Sequence, residues 1–380
     1  MKEYLIQGIL ETISGLKEIS ALLADIRRQD GLLSDSDLER MRSQAYEAAG
    51  AYGKEAADYL AAVREAYRSG YGEDAEDVAR LSLALQGAGG MAAELAGQYI
   101  AATDRAYQLG GSVTRLAGLL DGAAAISSRN AVGMAELAEA MSLAAPLAAS
   151  LGLGADEAAA ALGTIASAAG QGGQEAAASL EGILLNIRQV ADAGKGVSAE
   201  GLREFEAACR TLGVSLQDAE DGAAALRSPM DVLKELSEAY SMSGPDGPGR
   251  SGLLEALGSA QSAEALDALL SSFGAYEKML EEYAGGAGSL AAQAGLAADS
   301  WEASMSRLSG TWEKVIGNIA DPAVIGSALE GLNGVLSAIA KVTEALGPLG
   351  SAGLGAGLLA SLKDVGREGT YSPENMPTAA

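Results

Sequence analysis

The sequence predicts an all-α protein, a helical bundle of short Ala/Gly-rich helices with longer amphipathic helices at the N-terminus and around 288–320. Three observations carry this expectation. Hydrophobic residues make up 48% of the 380, enough for a packed core, yet aromatics are only 4%. The apolar content is mostly Ala and Leu, which favour helix, whereas sheets lean on β-branched and aromatic side chains. Glycine occurs 50 times, so the helices are short and meet through small side chains. Such cores bury little area per residue, and marginal stability without partners is expected.

Residues 1–28 read as an amphipathic helix, with Leu5, Ile9, Leu16, Ile19, Leu23 and Ile26 on one stripe. Ser34 or Asp35 offers an N-cap for a second helix, which continues over 37–69 to the break at Gly70-Tyr71-Gly72. Helices follow at 74–86, 90–109 and 112–120. Met134–Ser150 carries Leu137, Met141 and Leu147, and Ala155–Ala169 opens on Asp156 and Glu157, acids suited to a first-turn dipole. The run after Gly172-Gly173 carries Leu180, Ile183, Leu184 and Ile187. Helices of this length joined by short turns imply a compact bundle. No fixed-period repeat is read.

Residues 243–252, SGPDGPGRSG, form the clearest loop and a subdomain boundary. Beyond it, Trp301, Met305, Leu308, Trp312, Val315 and Ile319 recur at helical spacings, a helix-pairing seam holding both tryptophans. Pro322 ends that helix, and 324–362 is apolar. Its uncharged part, 345–362, is about long enough to meet a bilayer but is Gly-rich and contains Pro348. The tail from Lys363 is polar and proline-containing, the composition of disorder. The organisation expected is 1–120 as an N-terminal helical region, 121–242 as a core bundle, 253–320 as the segment with the two-Trp seam, 321–362 as an apolar Gly/Ala-rich segment and 363–380 as a disordered tail.

Composition also excludes chemistry. A net charge of −25 opposes bulk electrostatic binding to nucleic acid or anionic membrane, so no specific nucleic-acid binding is expected. The absence of histidine removes Ser-His-Asp and Cys-His systems and every imidazole metal site. The single Cys209 makes no internal disulfide or zinc cluster and reads as a small buried residue. Glu11, Lys17 and Glu18 interrupt any signal-peptide apolar core. The glycines at 353–357 lack the spacing of a dinucleotide fingerprint and follow no strand. Paired carboxylates, Glu136 with Glu139 and Asp218 with Asp221, share helical faces; among 51 acids such pairs arise by chance and mark a solvated face. The expectation is therefore no enzyme, no cofactor and no metal.

Resemblance carries the reading further. Asn130–Val190, NAVGMAELAEAMSLAAPLAASLGLGADEAAAALGTIASAAGQGGQEAAASLEGILLNIRQV, resembles the core of phage tail tape measure proteins. The matching positions are Leu137, Ala138, Glu139, Ala140, Gly152, Glu157, Leu162, Gly173, Leu180 and Ile183. Leu212–Tyr240 resembles that family's Gly-Val turn and Met-Asp-Val-Leu helix, Leu253–Ala294 its next segment, and Ser300–Ile319 its two-tryptophan closing helix, all in order. Upstream, YGKEAADYLAAVREAYRSGY and ELAGQYIAATDRAYQLGG are similar to tape measures of phages or prophages of Gram-positive bacteria. The resemblance implies a scaffold in the tail lumen, assembled in the host cytoplasm, that sets tail length and is ejected during DNA delivery. It implies the tail tube protein, tail assembly chaperones and distal tail or baseplate proteins as partners. Self-association through helices and host-membrane contact through 324–362 also follow from it.

Two other readings stay open at this stage. One is a membrane-active, pore-forming type of helical protein using 324–362. The other is a cell-wall lytic enzyme using paired Glu. Family members are commonly far longer, so this chain is expected to be the assembly and ejection portion of a longer product, or a truncated gene.

Overall fold

A computed structural model describes residues 2–191, 228–242 and 260–298, with a few shorter stretches between 207 and 254. The expectation of an all-α helical bundle holds for the described residues. A two-residue antiparallel pairing, Gln217 with Leu226 and Asp218 with Ala225, is the one ladder among the described residues.

The chain opens with α1 (Lys2–Gln29), α2 (Asp35–Ala51) and α3 (Ala56–Arg68). Ser34 is the N-cap of α2; its hydroxyl accepts from the Asp37 amide, and the Asp37 carboxylate accepts from the Ser34 amide. Ile19, Leu22 and Ile26 of α1 are buried in one cluster with Met41, Tyr59, Leu60 and Val63. Around it, Arg40 pairs with Glu76 at 2.7 Å, and the Tyr59 hydroxyl donates to Glu76 at 3.3 Å.

Three helix pairs follow: α4 (Ala75–Gly89) with α5 (Ala93–Ala106), α6 (Val113–Arg129) with α7 (Met134–Ser150), and α8 (Ala155–Ala169) with α9 (Gly173–Ala191). Here the structure shows a repeat that the sequence reading lacks. The first helix of each pair begins at Ala75, Val113 and Ala155, a spacing of about forty residues. Helices α3, α5, α7 and α9 neighbour one another as an outer row, and α4, α6 and α8 form an inner row.

The turns that join one pair to the next share one physical device. At the end of α3, α5 and α7 the amide of Tyr71, Leu109 and Leu153 donates to the carbonyl five residues back, on Ala66, Asp104 and Ala148. This is the Schellman closure, which needs a left-handed residue just before the donor. Gly70 and Gly152 fill that place at φ +91° and +87°. In α5 it is Gln108 at φ +52°, the only non-glycine in this region among the described residues. The apolar residue that follows, Leu109 or Leu153, is buried and fixes the entry of the next inner helix.

After α9 the chain returns. Helix α10 (Pro229–Met242) packs on α11 (Ala260–Ser271) and α9, and α11, α12 (Phe273–Ala284) and α13 (Ser289–Ala298) run back over the inner row. α11 packs on α9 and α8, α12 on α8 and α6, and α13 on α6 and α4. The inner helices are thus covered on both sides, and the burial pattern shows it. Nine consecutive residues of α8, Ala158–Ala166, and five of α6, Gly122–Ile126, are buried. A helix at a surface buries a stripe; one buried all round must be apolar all round. Ala and Gly dominate these positions because helices held on two sides approach closely only where side chains are small.

Candidate functional site

A close junction lies where α12 and the turn to α13 cross α6 and α8. Its geometry follows from missing side chains. A Cβ on Gly163 of α8 would lie 2.9 Å from the Met279 sulfur and 3.2 Å from Ile126. One on Gly122 of α6 would fall within 2.5 Å of the Tyr283 ring, so that ring passes over α6 only because Gly122 is bare. The turn after α12 sets backbone against backbone: a Cβ on Gly286 would meet the Asp121 carbonyl at 2.7 Å.

Polar groups lock the same crossing. The Asp121 carboxylate accepts from the amides of Gly288 at 2.8 Å and Leu290 at 3.0 Å, capping α13 from a helix more than 160 residues earlier. Two orphan donors of a helix N-terminus are satisfied in this way. The Gln293 side-chain amide donates to the Ala124 carbonyl. The Asn130 amide donates to the Ile126 carbonyl at 2.9 Å and to Glu282 at 2.6 Å, with Lys278 3.4 Å from the same carboxylate. Burial first, then the charges of Tyr99, Asp156 and Tyr107, raise the Tyr283 hydroxyl well above the ordinary phenol range.

The second close approach is at the start of α9. A Cβ on Gly173 would meet the Glu136 carbonyl at 2.4 Å and the Glu139 carboxylate at 2.9 Å. The paired glutamates are thus engaged in helix ends. The Glu136 carboxylate accepts from the Gly133 amide at 3.0 Å at the start of α7, and Glu139 lies against the first residue of α9. Glu157 plays the same part for α8, accepting from the Gly154 amide at 2.8 Å. Burial, then the charges of Asp156 and Asp231, raise its carboxyl above the usual carboxylate range, against the backbone hydrogen bond that lowers it. Among the described residues no group of His, Cys, Asp and Glu could hold a metal ion. No described helix is long and apolar enough to cross a membrane.

Of the residues singled out from sequence, Gly152 is a left-handed helix terminator and Gly173 a point of backbone contact. Leu137, Leu180 and Ile183 are buried, as is Cys209 at 2% exposure. Trp301, Met305, Leu308, Trp312, Val315 and Ile319, and the apolar stretch 324–362, lie outside the described residues. Asp121, Asn130 and Glu282 were not legible as partners, since nothing in their local sequence links positions so far apart.

These features define the class: an all-α, layered assembly of short helices whose contacts run through glycine and alanine. A family model described as phage-related minor tail protein matches residues 42–258, more than half of the chain, and the chain belongs to that family. It is a phage tail protein, and the tail of the virion is its place. No curated protein and no solved structure matches it.

Proposed function

We propose that the chain is a tape measure protein, or the N-terminal portion of one, from a phage or prophage of Gram-positive bacteria. It acts as a scaffold in the tail lumen that sets tail length during assembly and leaves with the DNA on ejection. The observation that carries this reading is collinearity: the blocks that resemble the tape measure core begin inside the matched region 42–258 and continue in order through Ser300–Ile319. Its partners are the tail tube protein, the assembly chaperones and the distal tail or baseplate proteins, with host-membrane contact through 324–362. No side chain carries catalysis in this reading, and the working groups are helix faces.

The layered body supports a division of labour. A single helix of 380 residues would span about 570 Å at about 1.5 Å per residue. Pairs of short helices stacked with a return row reach far less. The described part is the assembly and ejection portion, and the extended ruler lies elsewhere. Loss of the gene product leaves tails absent or uncontrolled in length, and electron micrographs showing normal tails would overturn the function itself. In-frame removal of the α6–α7 pair (113–150) aborts tails by unfolding the body. Infectious particles shortened by about 1.5 Å per deleted residue would instead make this region the ruler.

A further inference from the structure

Helix α13 differs from α1–α12 in carrying no charged residue among Ser289–Ala298. It lies on α4 and α6 through Leu290, Ala294 and Ala298, all buried. Its opposite face, Ala291, Ala292, Gly295 and Leu296, is open, and Leu296 is 77% exposed. The other helices of the return row carry charge outward: Glu277, Lys278 and Glu281 on α12, Glu264 on α11. A helix apolar all round belongs in an interior. Helix α8 of this same chain obeys that rule, with helices on both sides; among the described residues α13 meets α4, α6 and, more lightly, α2, which leave the face of Ala291, Ala292, Gly295 and Leu296 open.

The chain itself supplies a matching cover. Two residues, Asp299 and Ser300, separate Ala298 from Trp301, within the length at which consecutive helices fold back antiparallel. Trp301, Met305, Leu308 and Trp312 recur at helical spacing over about 16 Å, against about 15 Å for α13. Bulky side chains on one partner and Ala/Gly on the other are also complementary in volume, as close packing requires. We infer that the stripe Trp301–Trp312 docks on the open face of α13 within the same chain, making α13 an inner helix as α8 is. This inference is independent of the tape measure reading.

Trp301 and Trp312 are the two tryptophans of the chain, so emission excited at the red edge, beyond tyrosine absorption, reports on this stripe alone. In the full-length protein the emission is blue-shifted and protected from acrylamide. Leu296→Glu and Ala292→Glu, both on the open face, shift it to the red and remove the protection, with far-ultraviolet circular dichroism unchanged. Leu143→Glu on α7, an exposed leucine at 47%, leaves emission and quenching as they were. Solvated-tryptophan emission in the unmodified protein overturns the inference, as does an emission that ignores both α13 substitutions. So does an equal response to Leu143→Glu, which would place the stripe on α7. Emission that returns to the solvated position on dilution, with sedimentation showing a dimer at higher concentration, assigns the cover to a second copy and overturns docking within one chain.

Discussion

Replacing Gly173 with Ala adds one methyl group at the tightest backbone contact in the outer row. The new Cβ would sit 2.4 Å from the Glu136 carbonyl oxygen and 3.0 Å from the Glu139 Cβ. Attractive contacts between such atoms begin at about 3.5 Å, so α9 and α7 must separate by roughly 1 Å at their starts. The carbonyl belongs to the first turn of α7 and cannot swing aside as a side-chain end could. Overpacking of this kind costs about 1–3 kcal/mol. Helix propensity returns little, because Gly173 is the first residue of α9 rather than an interior one. A loss of about 2 kcal/mol lowers Tm by roughly 4–8 °C for a body of this size. Thermal unfolding followed at 222 nm measures it, with Gly172→Ala as the neighbouring control, since no atom lies within 4 Å of a Cβ there. A Gly173→Ala protein as stable as the Gly172→Ala protein would refute the claim that bare backbone contact sets the α7–α9 spacing.

Three further outcomes test other parts of the fold. Gly118→Ala, exposed in the interior of α6 with nothing within 4 Å of the added carbon, raises stability by about 0.5–1 kcal/mol; an unchanged or lower urea midpoint counts against it. Asp121→Ala removes both acceptors of the α13 cap and costs about 1–2 kcal/mol; hydrogen exchange at the Gly288 and Leu290 amides accelerates, and unchanged protection there defeats the capping account. Glu157→Gln tests a pH dependence. A carboxyl raised in the folded state contributes stability at pH below its unfolded value and loses it as pH rises through the folded one. The raised Glu157 therefore makes Glu157→Gln the more stable form at neutral pH, the difference vanishing well below pH 4.5; a variant less stable than its parent at pH 7 reverses the argument.

Local signals were legible where both ends of a helix were marked. Met134–Ser150 and Ala155–Ala169 match the sequence reading in their bounds, because Gly133, Gly152 and Gly154 flank them. Reading went astray where glycine was ambiguous. The expected single helix over 37–69 is two, because the Lys54 amide closes on the Ala49 carbonyl with Gly53 left-handed at φ +65°. The helix expected to end at 120 runs to Arg129. Gly122 lies inside it as the gap that Tyr283 fills from another helix.

The sequence by itself determined the class: Ala and Leu in helical periodicity make helices, and too few aromatic or β-branched side chains remain to build sheets. It also placed Asp156 and Glu157 at the opening of Ala155–Ala169 as first-turn acids. What only the tertiary structure decided is the pairing: three stacked helix pairs, and a return row that crosses them through Asp121, Gly122, Gly163 and Gly286. Periodicity records which face of a helix avoids water, not which partner it meets. Faces of alanine and glycine are nearly alike in shape and chemistry, so one such helix fits another as well as a third. The choice among them rests on a few bare-backbone contacts and long-range caps, fixed by residues far apart along the chain and close only once it has folded.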